Sequence, residues 1–355
     1  MKNAWQKFLD GIVKTHENVH NAVLLVESPH HKWKCASGMA DPAENSPMMA
    51  DDQFFTASVA KTMTASLVMM LNEKGIVHVD QTISQYLPSS IIDGLHLYED
   101  HSYGTSITIR QLLNHTSGLG DNWSDPRFIQ QILEDTERFW HPEETIEFVK
   151  TNVPPLFPPG QGFHYSDINY NLLGLIIERV TSIPLHEVYR KFLLDELGMN
   201  HTYRPFYEEP RPSIHGRPPS HFFAGDLDCT GMISLSADWG GGGLQTTTED
   251  LNRFIRAFGK NELFEDPSTR DEMIKGEKIG EGMYYGLGVV RGVFDELDVQ
   301  NITGEIWGHQ GASASFMYYW KDEAISICGT LNQDQCEEEI GDIVKELMLI
   351  YKENY

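Results

Sequence analysis

Residues 58–71 read Ser-Val-Ala-Lys-Thr-Met-Thr-Ala-Ser-Leu-Val-Met-Met-Leu, the most apolar helical stretch of the chain. Gly75 follows at a position where glycine commonly ends a helix. Ser58 and Lys61 are three positions apart, so they share one face of that helix. A serine hydroxyl becomes a good nucleophile when a neighbouring base takes its proton. The stretch therefore predicts a helix whose first turn carries both a nucleophile and its base.

The Ser-x-x-Lys spacing is weak evidence when it stands alone. The chain has 22 serines and 15 lysines, and random placement of those numbers gives about one such pair. Its value therefore depends on partner segments elsewhere in the sequence.

Strand-like segments occur near both ends of the chain, and a helical region with Pro- and Gly-rich loops separates them. We therefore expect one α/β sheet domain from residues 1–79 and 236–355, with residues 80–235 inserted as a helical domain. The predicted terminal elements are a helix starting near Trp5, strands at 22–26, 32–39, 284–290, 315–320 and 324–331, and a helix over 340–350.

The composition limits the classes of partner. The 355 residues include 52 acidic and 27 basic side chains, a net charge of −25, which disfavours nucleic acid and anionic membrane surfaces. The first residues lack the apolar core of a secretory signal, and no uninterrupted apolar run approaches the length of a membrane span. Four scattered cysteines lack Cys-x-x-Cys spacing, which favours a reducing cytoplasm and argues against a metal site.

Three further segments could contribute residues to a site that contains Ser58 and Lys61. Tyr165-Ser166-Asp167 lies between a Pro-rich loop and an apolar helix, where a tyrosine could relay protons. Residues 307–312, Trp-Gly-His-Gln-Gly-Ala, lead into a strand that could offer an N–H to an oxyanion. Residues 109–119 read as a helix that ends at a glycine. Each segment also fits an ordinary structural role: a core tyrosine, a turn before a strand, and a helix cap.

Taken in order, these segments resemble the serine β-lactamase-like hydrolases, which include class C β-lactamases, penicillin-binding D-peptidases, D-aminopeptidases and related esterases. The resemblance covers nearly the whole chain, and Ser-x-x-Lys is one of the family's known motifs. It implies an α+β, β-lactamase-like fold: an antiparallel sheet flanked by N- and C-terminal helices, with an inserted all-helical domain.

The resemblance also implies roles for individual residues. Ser58 corresponds to the acylated nucleophile, Lys61 to its adjacent base and Tyr165 to a second proton relay. His309-Gln310-Gly311 takes the place of the Lys-Thr-Gly strand motif. The backbone N–H groups of Ser58 and Ala312 would form the oxyanion hole.

Two positions depart from the family pattern. Asp167 stands where asparagine is usual, and a carboxylate there would favour the charged form of Lys61 or bind a cationic substrate group. His309 replaces a lysine that helps hold the substrate carboxylate in β-lactamases, and a neutral histidine does this poorly. Both departures favour esters, amides or peptides with a free amine or no charge.

The sequence therefore predicts a cytoplasmic, cofactor-free serine hydrolase, without a metal, that forms an acyl-enzyme at Ser58. Its substrate would be a small ester, an amide or a short peptide of D- or L-configuration, and its oligomeric state is left open. One alternative is a penicillin-recognising β-lactamase or D-Ala-D-Ala carboxypeptidase. The other is a noncatalytic binding or scaffold protein with the same fold.

Overall fold

The computed structural model describes residues 2–297 and 301–354. Within these residues the strands form one nine-stranded sheet and three two-stranded ones. The strands are β1 Asn21–Glu27, β2 Lys32–Asp41, β3 Ser46–Pro47, β4 Phe54–Phe55, β5 Leu97–Tyr98, β6 His101–Ser102, β7 Phe223–Ala224, β8 Leu227–Asp228, β9 Gln245–Thr246, β10 Glu277–Gly280, β11 Met283–Tyr285, β12 Val290–Val293, β13 Glu305–Gly311, β14 Ser315–Trp320 and β15 Ile325–Thr330.

The α-helices alternate with these strands at both ends of the chain and dominate its middle. They are α1 Lys2–Thr15, α2 Lys61–Glu73, α3 Ser89–Ile92, α4 Ile109–Leu113, α5 Pro126–Glu134, α6 Pro142–Asn152, α7 Ile168–Thr181, α8 Leu185–Tyr189, α9 Thr248–Gly259, α10 Pro267–Met273 and α11 Ile340–Asn354. None of the helices in the described residues combines the length and apolar character needed to cross a bilayer.

The large sheet is antiparallel and joins the two ends of the chain. Its strand order is β10-β11-β12-β13-β14-β15-β1-β2-β3, so the first strand pairs with the last one, with Val23 opposite Thr330. The expected sheet of N- and C-terminal strands, flanked by terminal helices, is therefore confirmed.

Alternation along β14 shows how the sheet separates two cores. Phe316, Tyr318 and Trp320 pack on the face covered by α1 and α11, whereas Met317 and Tyr319 pack in the larger cluster on the opposite face. Successive side chains of a strand point to opposite faces, so one apolar strand supplies both cores.

The larger cluster draws on both parts of the predicted domain division. It includes Met63 of α2, Leu112 of α4, Leu173 of α7 and Met317 of the sheet. Helices α3 to α8 all fall between residues 80 and 235. The division of the chain into two domains stays a prediction.

The predicted strand over 284–290 is wrong in its extent. Two strands, β11 and β12, occupy this region and pair with each other, with Tyr285 opposite Val290. Gly286 N–H donates to Val289 O at 2.8 Å, and Gly288 has a φ of +73°. Glycine adopts such a φ at little cost, so the chain turns within a segment whose composition favours a strand.

The segment of Ser58 also differs in detail from the predicted single helix. Residues Ala57–Ala60 form a 3₁₀ turn, and α2 begins at Lys61. Gly75, with a φ of +65°, follows the C-cap residue Lys74 as predicted. The serine therefore lies in a tight turn in front of the buried helix that carries the lysine.

Candidate active site

The turn that carries Ser58 is held from two sides. On one side Thr56 N–H donates to Leu244 O at 2.9 Å, beside the pairing of β4 with β9. On the other side Ser313 Oγ donates to Phe55 O at 2.9 Å, and Ser315 Oγ donates to Thr56 O. The turn is thus fixed between the loop after Gly240 and the hairpin that joins β13 to β14. Because both anchors are hydrogen bonds to backbone, the position of Ser58 is set by the fold.

Lys61 is completely buried, and all three of its ammonium donors have a partner. Lys61 Nζ donates to Ser58 Oγ at 2.9 Å, to Gly241 O at 2.7 Å and to Asp167 Oδ1. An ammonium group has three N–H donors and no acceptor. The predicted pair of Ser58 and Lys61 is therefore in direct contact, and Asp167 is in contact with the lysine.

Electrostatics keep Lys61 charged. Burial lowers the pKa of Lys61, but the negative charge of Asp167, with smaller contributions from Tyr165 and Asp238, raises it by more. The pKa of Lys61 therefore lies above its ordinary value. In the resting site Lys61 is therefore an ammonium ion that donates a hydrogen bond to Ser58 Oγ.

Tyr165 lies beside both members of this pair. Its side chain interacts with Lys61 and with Ser58, and Lys61 Nζ lies 5.0 Å from the centre of its ring. Burial raises the pKa of Tyr165 above its ordinary value, although Lys61 opposes this effect. The phenol is therefore protonated at rest and can donate.

Behind Tyr165 lies a network that sequence reasoning did not find. The ring of His115 stacks on Tyr165 with centroids 4.3 Å apart, and the hydroxyl of Tyr285 lies between two histidines. It is 3.1 Å from His115 Nε2 and 3.0 Å from His309 Nε2. Residues 109–119 therefore supply a wall of the site through His115, as well as a helix end.

The hydrogen-bond partners of His115 and His309 show which ring nitrogens carry a proton. Ser166 N–H donates to His115 Nδ1 at 3.1 Å, so in the neutral ring the proton is on Nε2, facing Tyr285. Tyr285 then donates to His309 Nε2, and His309 Nδ1–H donates to Gln310 O at 2.5 Å. Burial, together with the charge of Lys61, lowers the pKa of His309 to about 3. His309 is neutral, and both of its ring nitrogens already have protein partners.

The end of β13 lies close to Ser58. A methyl group on Gly311 would lie 2.4 Å from Thr56 O and 2.9 Å from Ser58 N, so only glycine fits there. Ala312, which is exposed, follows at the start of the turn before β14. The side-chain amide of Gln310, by contrast, is held by other groups: Gln310 Nε2 donates to Glu337 O, and the Tyr318 hydroxyl donates to Gln310 Oε1.

Two more carboxyl groups lie near Asp167, and no sequence spacing pointed to them. Asp167 N–H donates to Asp121 Oδ1 at 2.8 Å. Burial, and then the charge of Asp167, raises the pKa of Asp121 to about 6 and that of Asp238 to about 7. Lys61 is thus the partner of one carboxylate and the neighbour of two others.

Lys61, Asp121, Asp167 and Asp238 form a charge cluster, and the glycine run at 240–243 contributes carbonyl groups to it. Lys61 binds Gly241 O, and the buried Arg204 donates from Nη1 to Gly242 O at 2.7 Å. A methyl group on Gly242 would lie 2.6 Å from Ala57 O and 2.3 Å from Asp238 Oδ2. The run is therefore close-packed around two buried cations.

Asp238 should make stability depend on pH. Between its ordinary pKa in the unfolded chain and its pKa of about 7 in the folded protein, the folded state holds the extra proton. The contribution of Asp238 to the stability of the wild type therefore falls as pH rises through this range. We expect Asp238→Asn to gain ~2–3 kcal/mol relative to the wild type between about pH 5 and pH 8.

Urea unfolding of both proteins at the two pH values measures this difference. Asp226→Asn, an exposed carboxyl on the β7–β8 turn, is the matched control and should show no such gain. A difference between Asp238→Asn and the wild type that does not change with pH would contradict the expectation.

Other histidines lie away from this centre. His221 Nδ1 is 2.7 Å from Asp228 Oδ2, and His215 lies 3.9 Å from Asp51. In residues 2–297 and 301–354, no group of three or more His, Cys, Asp or Glu side chains is arranged to hold a metal ion.

Comparison with known proteins places this fold and site in context. The family model described as Beta-lactamase matches residues 9–344. Penicillin-binding protein 4* of Bacillus subtilis (strain 168) is 25% identical over 337 residues, covering 88% of this chain and 67% of that protein. Esterase EstB of Burkholderia gladioli is 26% identical over 306 residues, covering 74% of this chain and 72% of that protein.

A solved structure agrees over nearly the full length. The D-stereospecific amidohydrolase from Streptomyces sp. has a TM-score of 0.78 and 26% identity, covering 94% of this chain and 95% of that one. These relatives are named as hydrolases and a penicillin-binding protein, and the family match extends over most of the sequence. The chain therefore belongs to the beta-lactamase family.

Proposed function

We propose that this protein is a serine hydrolase that forms an acyl-enzyme at Ser58 and cleaves an ester, amide or peptide bond of a small substrate. The observation that carries the proposal is the contact of Lys61 Nζ with Ser58 Oγ at 2.9 Å, made in a buried site beside Tyr165. Acyl transfer needs a nucleophile beside groups that take up and pass on its proton, and Lys61 and Tyr165 stand beside Ser58 for that role.

In the proposed reaction Ser58 Oγ attacks the carbonyl carbon, and its proton leaves through Lys61. The N–H groups of Ser58 and Ala312 receive the oxyanion, because Gly311 allows the β13 end to lie against the Ser58 turn. Tyr165, protonated at rest, donates to the leaving group. Water then attacks the acyl carbon, and the same groups carry protons in reverse.

The charges around the site support a neutral or amine-bearing substrate. His309 is neutral, and both of its ring nitrogens have hydrogen-bond partners in the protein. It therefore has neither a positive charge nor an unused N–H group with which to bind a substrate carboxylate. Asp121, Asp167 and Asp238 place negative potential next to Lys61. An anionic group brought into this region meets repulsion from the cluster.

Recognition of penicillin is the second candidate, and the similarity to penicillin-binding protein 4* favours it. The neutral His309 opposes it, because no cation stands at that position. The cytoplasmic location remains a prediction, supported by four buried cysteines that are scattered along the chain without Cys-x-x-Cys spacing.

Covalent labelling tests the proposal. We expect a fluorophosphonate or an activated p-nitrophenyl ester to add one acyl or phosphonyl group per chain, and peptide mass spectrometry to place it on Ser58. Ser102→Ala, at an exposed serine of the β5–β6 hairpin, should label as the wild type does. Labelling elsewhere, or none with any probe, would count against the proposal and favour a noncatalytic protein.

Turnover assays with the same protein identify the class of substrate. Turnover of neutral p-nitrophenyl esters and of D- and L-amino-acid amides, with little reaction with a fluorescent penicillin, is the expected pattern. Rapid penicillin turnover, or stable penicillin labelling of Ser58, would establish the second candidate instead.

A further inference from the structure

Lys61 cannot accept a proton while it is an ammonium ion with all three donors in use. It nevertheless lies between Ser58 Oγ and Asp167 Oδ1 and contacts both. We propose that Asp167 is the final acceptor of the Ser58 proton during acylation, and that Lys61 is the relay between them. This inference rests on the proposed acyl-enzyme at Ser58 and adds the residue at which its proton comes to rest.

The geometry supplies a continuous path. Lys61 is fully buried, and the side chain of Asp167 is 12% exposed, so water competes little for either contact. Gly241 O occupies the third donor of Lys61 at 2.7 Å and holds the ammonium group in place. Asparagine, the residue expected at this position in the family, could accept a hydrogen bond from Lys61 but could not take up its proton.

Several ionisable groups surround Asp167. The ionisable groups that interact with it come from several elements, and three of them are carboxyl groups. Burial, and then the negative charge of Asp167, raises the pKa of all three of these carboxyl groups. The groups that interact with Asp167 are Lys61, Asp121, Tyr165, Asp238, Tyr285 and Glu337.

The step balances without any further reactant. Lys61 Nζ passes one proton to Asp167 Oδ1, and rotation about the Cε–Nζ bond turns its lone pair toward Ser58 Oγ. The bond between Oγ and the carbonyl carbon forms, the carbonyl electron pair moves onto oxygen, and the Oγ proton moves to Nζ. Lys61 is again an ammonium ion, Asp167 is a carboxylic acid, and the oxyanion carries the negative charge. When the intermediate collapses, the proton of Asp167 returns through Lys61 and Tyr165 to the leaving group.

The pH dependence of acylation separates this relay from a lysine acting as the base alone. In the relay, the reactive form keeps one proton on the pair of Lys61 and Asp167. That form dominates at neutral and mildly alkaline pH, because the pKa of Lys61 is raised. If Lys61 acted as the base alone, the reactive form would be a neutral Lys61 beside an ionised Asp167, and this form has lost that proton. At pH values below the pKa of Lys61, the population of this form grows tenfold for each unit by which the pH rises.

The experiment is single-turnover acylation by a neutral p-nitrophenyl ester from about pH 6 to pH 10, corrected with Ser58→Ala. We expect the wild-type rate constant to level off by about pH 8 and to stay level to about pH 10. Asp167→Asn should lose about 100-fold at pH 8 and should rise with pH instead of levelling. Asp250→Asn, a buried carboxyl bound to His201 N and Thr202, is the control and should keep the level profile.

Two results would overturn the relay: a wild-type rate that climbs tenfold per pH unit up to pH 10, or an Asp167→Asn variant that keeps the level profile and the wild-type rate. Circular dichroism of each variant shows that the fold is retained. If Ser58 is not acylated at all, the proposed function fails. If Ser58 is acylated but the profile climbs, only the relay fails.

Discussion

Ser58→Ala is expected to lower kcat/KM for the best ester or amide substrate by about 10⁴-fold or more. In the proposed reaction the hydroxyl forms the new bond with the substrate, so its removal blocks acylation. Lys61 loses one of its three partners, Ser58 Oγ, but keeps Asp167 and Gly241 O. The variant should therefore fold as the wild type does.

The measurement is steady-state turnover of that substrate, with urea unfolding to show that stability is kept. Ser102→Ala, the exposed serine already used in labelling, is the matched control and should retain full activity. A Ser58→Ala enzyme that hydrolyses every substrate at the wild-type rate would exclude Ser58 as the nucleophile.

Lys61→Met is expected to lower kcat/KM by about 10³- to 10⁴-fold. The substitution keeps most of the side-chain volume but removes the ammonium group that joins Ser58 Oγ to Asp167 Oδ1. It also leaves the carboxyl group of Asp167 buried beside Asp121 and Asp238 without its cation. Because breaking one side of a buried pair leaves an uncompensated charge, we expect a loss of ~3 kcal/mol in stability.

A double variant separates these two effects. In Lys61→Met with Asp167→Asn, both charges are absent, so stability should return toward that of the wild type while activity stays low. Lys74→Met makes the same substitution at the exposed C-cap of the same helix and should change neither property. Recovery of activity in the double variant would show that Lys61 is needed only for stability.

The charge cluster gives these predictions a common physical basis. Lys61 and Arg204 are both buried and both donate to carbonyls of the glycine run, at Gly241 and Gly242. Three carboxyl groups share the space around Lys61, and two of them have a raised pKa. A site with this balance stabilises an ammonium ion at rest, and it carries out acyl transfer only if the proton of Ser58 has somewhere else to go.

Much of the fold could be predicted from local patterns. The period of apolar residues indicated α1 and α11, and the apolar runs indicated β1, β14 and β15, because these patterns express burial on one or both faces of an element. The prediction of one strand over 284–290 is wrong, because the composition of this segment suits a strand whereas Gly288 allows the chain to turn within it. A glycine that ends a strand and one that lies within it look alike in sequence.

For the candidate site, the sequence by itself determined the contact of Ser58 with Lys61, since three positions along one helical turn bring two side chains together wherever the helix lies. Through the resemblance to the serine β-lactamase-like hydrolases, the sequence also indicated Tyr165, Asp167 and the strand that ends at Gly311 as partners.

Only the tertiary structure decided that Asp167 meets Lys61 directly, that Asp121 and Asp238 crowd beside it, and that Tyr285 links His115 to His309. The reason is physical. These groups come from distant segments, and packing of the sheet, α7 and the glycine run brings them together. Burial then sets which of them carry charge, and burial is a property of the folded chain.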